Sequence, residues 1–150
     1  MGTLYRVTRR DFDRLHDEIE ELFADLWQVP RFSGARRGFR PNVDSYHTVD
    51  PHELTVVVEL PGVDPQSVHV VVGERALLVA GERRRPKVAG HVYHQMEIEY
   101  GPFQRQVRLP EDVDPERTRA QFENGVLTIS LPVAATAHVL GRMSIRVECR

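Results

Sequence analysis

Few side chains in this sequence are placed to do chemistry. Cys149, the one cysteine, is the penultimate of 150 residues. No fold can hold an activating base beside it there, so it reads as a solvated terminal thiol. It has no partner for a disulfide, and one cysteine cannot build a zinc ribbon or an iron–sulfur site. His91 and His94 stand three apart. On a strand or loop they could share a metal, but solvated polar positions are the commoner fate of such a pair. Asp44, Asp50, Glu53 and Asp64 fall among turns and strand starts, where turn chemistry accounts for them. No G-x-S-x-G elbow, H-E-x-x-H pair, G-x-x-x-x-G-K-[ST] loop or G-x-G-x-x-G loop is present. The expectation is a protein that is not an enzyme, with no metal, nucleotide or other cofactor.

Two further positions call for an explanation. Arg105 alternates with Phe103, Val107 and Leu109. A guanidinium in an apolar row either snorkels to water from a twisted strand end or pairs across a subunit interface. Ile145 and Val147 are two apart, so on an extended segment both point the same way. Two such side chains can fill two pockets while their backbone pairs with a sheet edge.

These residues must be positioned by the elements around them, and composition bounds what those are. The chain is 41% hydrophobic, 28% charged and 7% aromatic, with a net charge of −2. Near-neutral charge argues against a dedicated nucleic-acid binder. No apolar run reaches the roughly 18–20 residues of a membrane span. The start, Met1 to Arg10, is polar and basic without an apolar h-region, which argues against a secretory signal. A globular protein of the reducing cytoplasm is expected.

Three zones follow. Residues 1–40 hold an amphipathic helix from about Arg9 to Gln28, then an Arg/Gly/Phe-rich connector. Its stripe is Phe12, Leu15, Ile19, Leu22 and Leu26, widened by Phe23 and Trp27. The helix either packs on its own domain or forms a detachable arm that covers other chains. Residues 41–132 carry strand alternation: Leu54, Val56, Val58 and Leu60 share one face, as do Val68, Val70 and Val72. Further strands are read at Ala76 to Ala80, Phe103 to Leu109, Arg119 to Glu123 and Val126 to Leu131. Asn124-Gly125 marks a tight hairpin between the last two. Short strands with regular turns predict an all-β, antiparallel β-sandwich. Glu82 to Gln95 reads as a long excursion with room for one strand of its own. Residues 133–150 form an extended tail.

The strand zone resembles a known family. Tyr100-Gly101-Pro102-Phe103-Gln104-Arg105-Gln106-Val107-Arg108-Leu109-Pro110 is similar to the G-x-F-x-R-x-(apolar)-x-L-P motif of small heat-shock proteins of the α-crystallin/Hsp20 family, bacterial type. Ala120 to Pro132 resembles that family's A-x-x-x-N-G-V-L-x-I-x-L-P signature. Pro41-Asn42-Val43-Asp44, Glu59-Leu60-Pro61-Gly62-Val63 and Leu77 to Arg83 resemble three further segments in order, and Ile145-Arg146-Val147 resembles the C-terminal I-x-I/V motif. The chain departs from the pattern at Glu97-Ile98, where many members carry Glu-Arg.

The resemblance implies an α-crystallin domain, an immunoglobulin-like antiparallel β-sandwich, over 41–132, flanked by an arm (1–40) and a C-terminal extension (133–150). It implies an ATP-independent holdase whose arm covers exposed surface of partly unfolded clients. It implies self-assembly from a dimer, with Arg105, His91, Val92 and Tyr93 at the dimer contact. Ile145 and Val147 would dock in a groove between about Ser67–Gly73 and Arg119–Glu123, with Val70, Val72, Ala120 and Phe122 as candidate lining. From Pro132 the chain reaches roughly 43–47 Å to Ile145 if fully extended, enough to meet a neighbouring molecule. The rival is a p23-like co-chaperone sandwich that binds one defined partner.

Overall fold

The computed structural model describes residues 38–73, 75–135 and 143–150. The helix read over Arg9 to Gln28, with its stripe of Phe12, Leu15, Ile19, Leu22, Phe23, Leu26 and Trp27, lies outside the described residues.

Among the described residues, nine strands build two facing sheets. They are β1 (Val43–Thr48), β2 (Glu53–Glu59), β3 (His69–Gly73), β4 (Ala76–Arg83), β5 (Gly101–Arg108), β6 (Arg119–Glu123), β7 (Val126–Pro132), β8 (Met143–Ile145) and β9 (Val147–Cys149). One sheet runs β1-β2-β7-β6-β9 and the other β5-β4-β3-β8. Every pairing is antiparallel except β9 on β6, which is parallel. No described helix is long and apolar enough to cross a membrane.

Alternation explains the layering. Leu54, Val56, Val58 and Leu60 point between the sheets and are buried, as are Leu127, Ile129 and Leu131 opposite them. Val70, Val72, Leu77, Val79 and Phe103 close the core from the other sheet. Asn124 (φ 51) and Gly125 (φ 78) turn β6 into β7 with both residues left-handed, the geometry that matches strand twist in a two-residue hairpin. The carbonyl of Gly125 also accepts from Leu60 N–H at 2.7 Å, tying the hairpin to the end of β2. Asp64 caps the 3-10 turn Pro65–Ser67 by accepting from Gln66 N–H.

The structure departs from the sequence reading in several places. The 3-10 turn takes up Ser67, so β3 begins at His69. β4 runs on to Arg83, paired with β5 as far as Gly101. β1 is an additional edge strand, held by a register running from Val43 opposite Val58 to Thr48 opposite Glu53. The excursion forms no strand in this single chain: residues 84–100 lie between β4 and β5 without ladder partners.

Candidate functional site

The tail folds back onto its own sandwich. β8 adds to the edge of β3, with Ile145 opposite Val70 and Met143 opposite Val72. At Arg146 the chain crosses to the other sheet. There β9 adds to β6, with Val147 opposite Ala120 and Cys149 opposite Phe122. Arg150 N–H donates to the carbonyl of Phe122 at 3.1 Å and ends the ladder. The eight residues 143–150 thus bridge the open edges of both sheets.

The four residues named as candidate groove lining lie on the two strands that the tail pairs with. Val70, Val72, Ala120 and Phe122 are each buried and belong to the core cluster. Each stands opposite an alternate residue of the tail, because period-two side chains on paired strands share a face. Ile145 and Val147 are half-buried and pack against that core. Sequence reasoning missed Met143, which is buried at 7% exposure. The signal was present: Met143, Ile145 and Val147 continue one alternation, and the reading stopped at the two-residue motif. An open cleft of about 780 Å³ runs beside the tail, lined by Pro65, Val68, His69, Ile145, Arg146 and Cys149 among others.

The residues assigned to a subunit contact lie apart from this groove. His91, Val92 and Tyr93 are exposed on the excursion, with Val92 at 78%. Met96 and Ile98 nearby are exposed as well. Arg105 is half-buried on the core-facing side of β5, in register with Val79, and its side chain has no ion pair or hydrogen bond among the described residues. His91 packs edge-on against Tyr93 at 4.6 Å, and its Nδ1 meets the Val88 carbonyl. Among the described residues no three His, Cys, Asp or Glu side chains gather as a metal site. Cys149 is exposed.

Arg83 organises the base of the excursion, a role the sequence did not suggest. Its Nε donates to the Glu99 carbonyl at 2.7 Å, its Nη2 to the same oxygen, and its Nη1 to the Pro61 carbonyl at 3.3 Å. Its guanidinium sits 3.7 Å above the Phe39 ring, and Phe39 in turn meets Phe103 edge-on at 5.7 Å. Arg85 lies 4.5 Å over Tyr100 and 5.2 Å over Tyr93. Planar guanidinium groups suit such stacked, forked sites. Phe39 N–H donates to the Pro102 carbonyl at 3.3 Å, so the chain enters the sandwich beside the start of β5.

The chain is a two-sheet β-sandwich of the α-crystallin class, with a β6–β7 hairpin at Asn124-Gly125 and its own tail laid between the sheet edges. Comparison with known proteins agrees. Residues 46–148 match the Hsp20/alpha crystallin family, and the chain belongs to that family. It is 38% identical over 131 residues to the 16.9 kDa class I heat shock protein 1 of Triticum aestivum, covering 77% of this chain and 85% of that one. It is 37% identical over 107 residues to the 22.0 kDa heat shock protein of Arabidopsis thaliana, covering 70% of this chain and about half, 54%, of that one. Among solved structures, heat shock protein 16.0 from Schizosaccharomyces pombe superposes with a TM-score of 0.60 at 28% identity, covering 67% of this chain and 92% of that one. The hspA of Xanthomonas axonopodis gives 0.59 at 29% identity, covering 67% and 100%.

Proposed function

We propose that this chain is a chaperone that holds partly unfolded proteins without ATP and keeps them from aggregating under heat or other stress. The match of residues 46–148 to the Hsp20/alpha crystallin family carries the reading. It favours a holdase over the p23-like adaptor. Partly unfolded clients expose apolar surface and unpaired strand edges. A segment bearing Phe12, Leu15, Ile19, Leu22, Phe23, Leu26 and Trp27 suits the first kind of surface. Holding needs no energy input, in keeping with a sequence that carries neither of the phosphate-cradling glycine loops. Binding the non-native state by mass action lowers the free concentration of the species that aggregates.

In the same proposal the chain self-associates from a dimer, with Arg105, His91, Val92 and Tyr93 at the contact. Ile145 and Val147 dock in the groove floored by Val70, Val72, Ala120 and Phe122. The test is to heat the full chain with a heat-labile enzyme and separate the soluble fraction by size exclusion. The two proteins should co-elute as a large soluble complex formed without nucleotide. A soluble fraction that holds this chain alone, with the enzyme wholly in the pellet, contradicts the proposal.

A further inference from the structure

We infer that the C-terminal segment is held by three anchors rather than two, and that Met143 is the third and deepest. This rests on the proposed docking of Ile145 and Val147, and it extends the segment to Met-x-Ile-x-Val. The occupant of the groove is this chain's own residues 143–149.

Three observations carry it. Met143, Ile145 and Val147 occupy alternate positions, and each stands opposite a buried core residue: Val72, Val70 and Ala120. Met143 is buried, whereas Ile145 and Val147 are half-buried. The intervening Ser144 and Arg146 are exposed, as is Glu148, so the segment is sorted by face from Met143 to Val147.

A third anchor does what two cannot. With Ile145 and Val147 alone, a slip of two residues along β3 would still put apolar side chains opposite Val70 and Val72. With Met143 seated at Val72, that slip drives it past Val72 to the β3–β4 turn, beyond the last apolar position of β3. Met143 therefore opposes a slip in that direction, which would also displace the place where Arg146 crosses between the sheets. An unbranched thioether suits this end of the groove, because it adapts to an irregular gap without a β-branch. Any other segment that competes for the groove should likewise present three apolar side chains at alternate positions.

The test uses the full chain and follows hydrogen exchange in residues 143–150. The amides of β2 and β7 serve as the control for global folding. Met143→Ala should speed exchange in the tail about tenfold, as should Ile145→Ala and Val147→Ala, while Met143→Leu should stay close to the unsubstituted chain. If Met143→Ala exchanges like the unsubstituted chain while Ile145→Ala and Val147→Ala are fast, docking stands on two anchors and this inference is overturned. If none of the alanine variants changes tail exchange, the docking itself fails. If Met143→Ala also loosens β2 and β7, its effect is not on the tail and the inference fails.

Discussion

Arg83 is the residue whose removal tests the packing argument most sharply. Arg83→Ala deletes a forked, charge-assisted contact to the part-buried Glu99 carbonyl, a longer one to Pro61, and a guanidinium 3.7 Å above Phe39. A hydrogen bond from a charged group contributes about 1.5 kcal/mol at the low end, which suits a half-buried site. The cation–π contact adds about 0.5–1 kcal/mol. The 3.3 Å contact to Pro61 is exposed and adds little. The loss should be about 2 kcal/mol. For a urea slope of 1–3 kcal/mol/M this moves the unfolding midpoint down by about 1 M. Arg83→Lys keeps a cation near Phe39 but lacks the planar fork, and should fall about midway. Urea unfolding at one fixed protein concentration measures both, because self-association would add its own term. A midpoint for Arg83→Ala within about 0.2 M of the unsubstituted chain would refute the assignment. So would a lysine variant that behaves like arginine.

One further expectation follows from the hairpin geometry and one from the proposed self-assembly. Gly125→Ala should cost about 1–2 kcal/mol, because its φ of 78 is left-handed and a Cβ there would lie 3.1 Å from Pro61 Cα. Thermal melting tests it, and an unchanged melting temperature contradicts it. A chain cut to residues 41–132 should scatter light as a dimer while the full chain forms larger assemblies; large particles from the short chain would show that the flanking segments are not what builds them.

Much of the sandwich was legible because burial on one face leaves an imprint of period two. Leu54 to Leu60 and Val126 to Leu131 carry that imprint cleanly, and Asn124-Gly125 supplies a hairpin turn with both residues left-handed. β1 was not legible, since all of its residues after Val43 are exposed; its backbone ladder to β2 carries no side-chain signature. The alternation marks Val70, Val72, Ala120 and Phe122 as core-facing positions of two strands, whereas a groove beside them was implied by the family resemblance alone. That the tail would lie on its own chain was not legible, because chain length sets a reach and not a destination. The role of Arg83 was hidden for a different reason. Phe39, Pro61 and Glu99 are distant in sequence and meet only when β4 pairs with β5 and the chain enters beside Pro102.

The central claim is that this chain holds unfolding proteins without ATP. Light scattering from a heat-labile enzyme, heated with increasing amounts of the full chain in nucleotide-free buffer, tests it most directly. The account predicts that scattering falls progressively and is abolished near stoichiometric ratios, with no change when ATP is added. Scattering that rises as fast at stoichiometric ratios as for the enzyme alone, or that falls only when ATP is supplied, would contradict it.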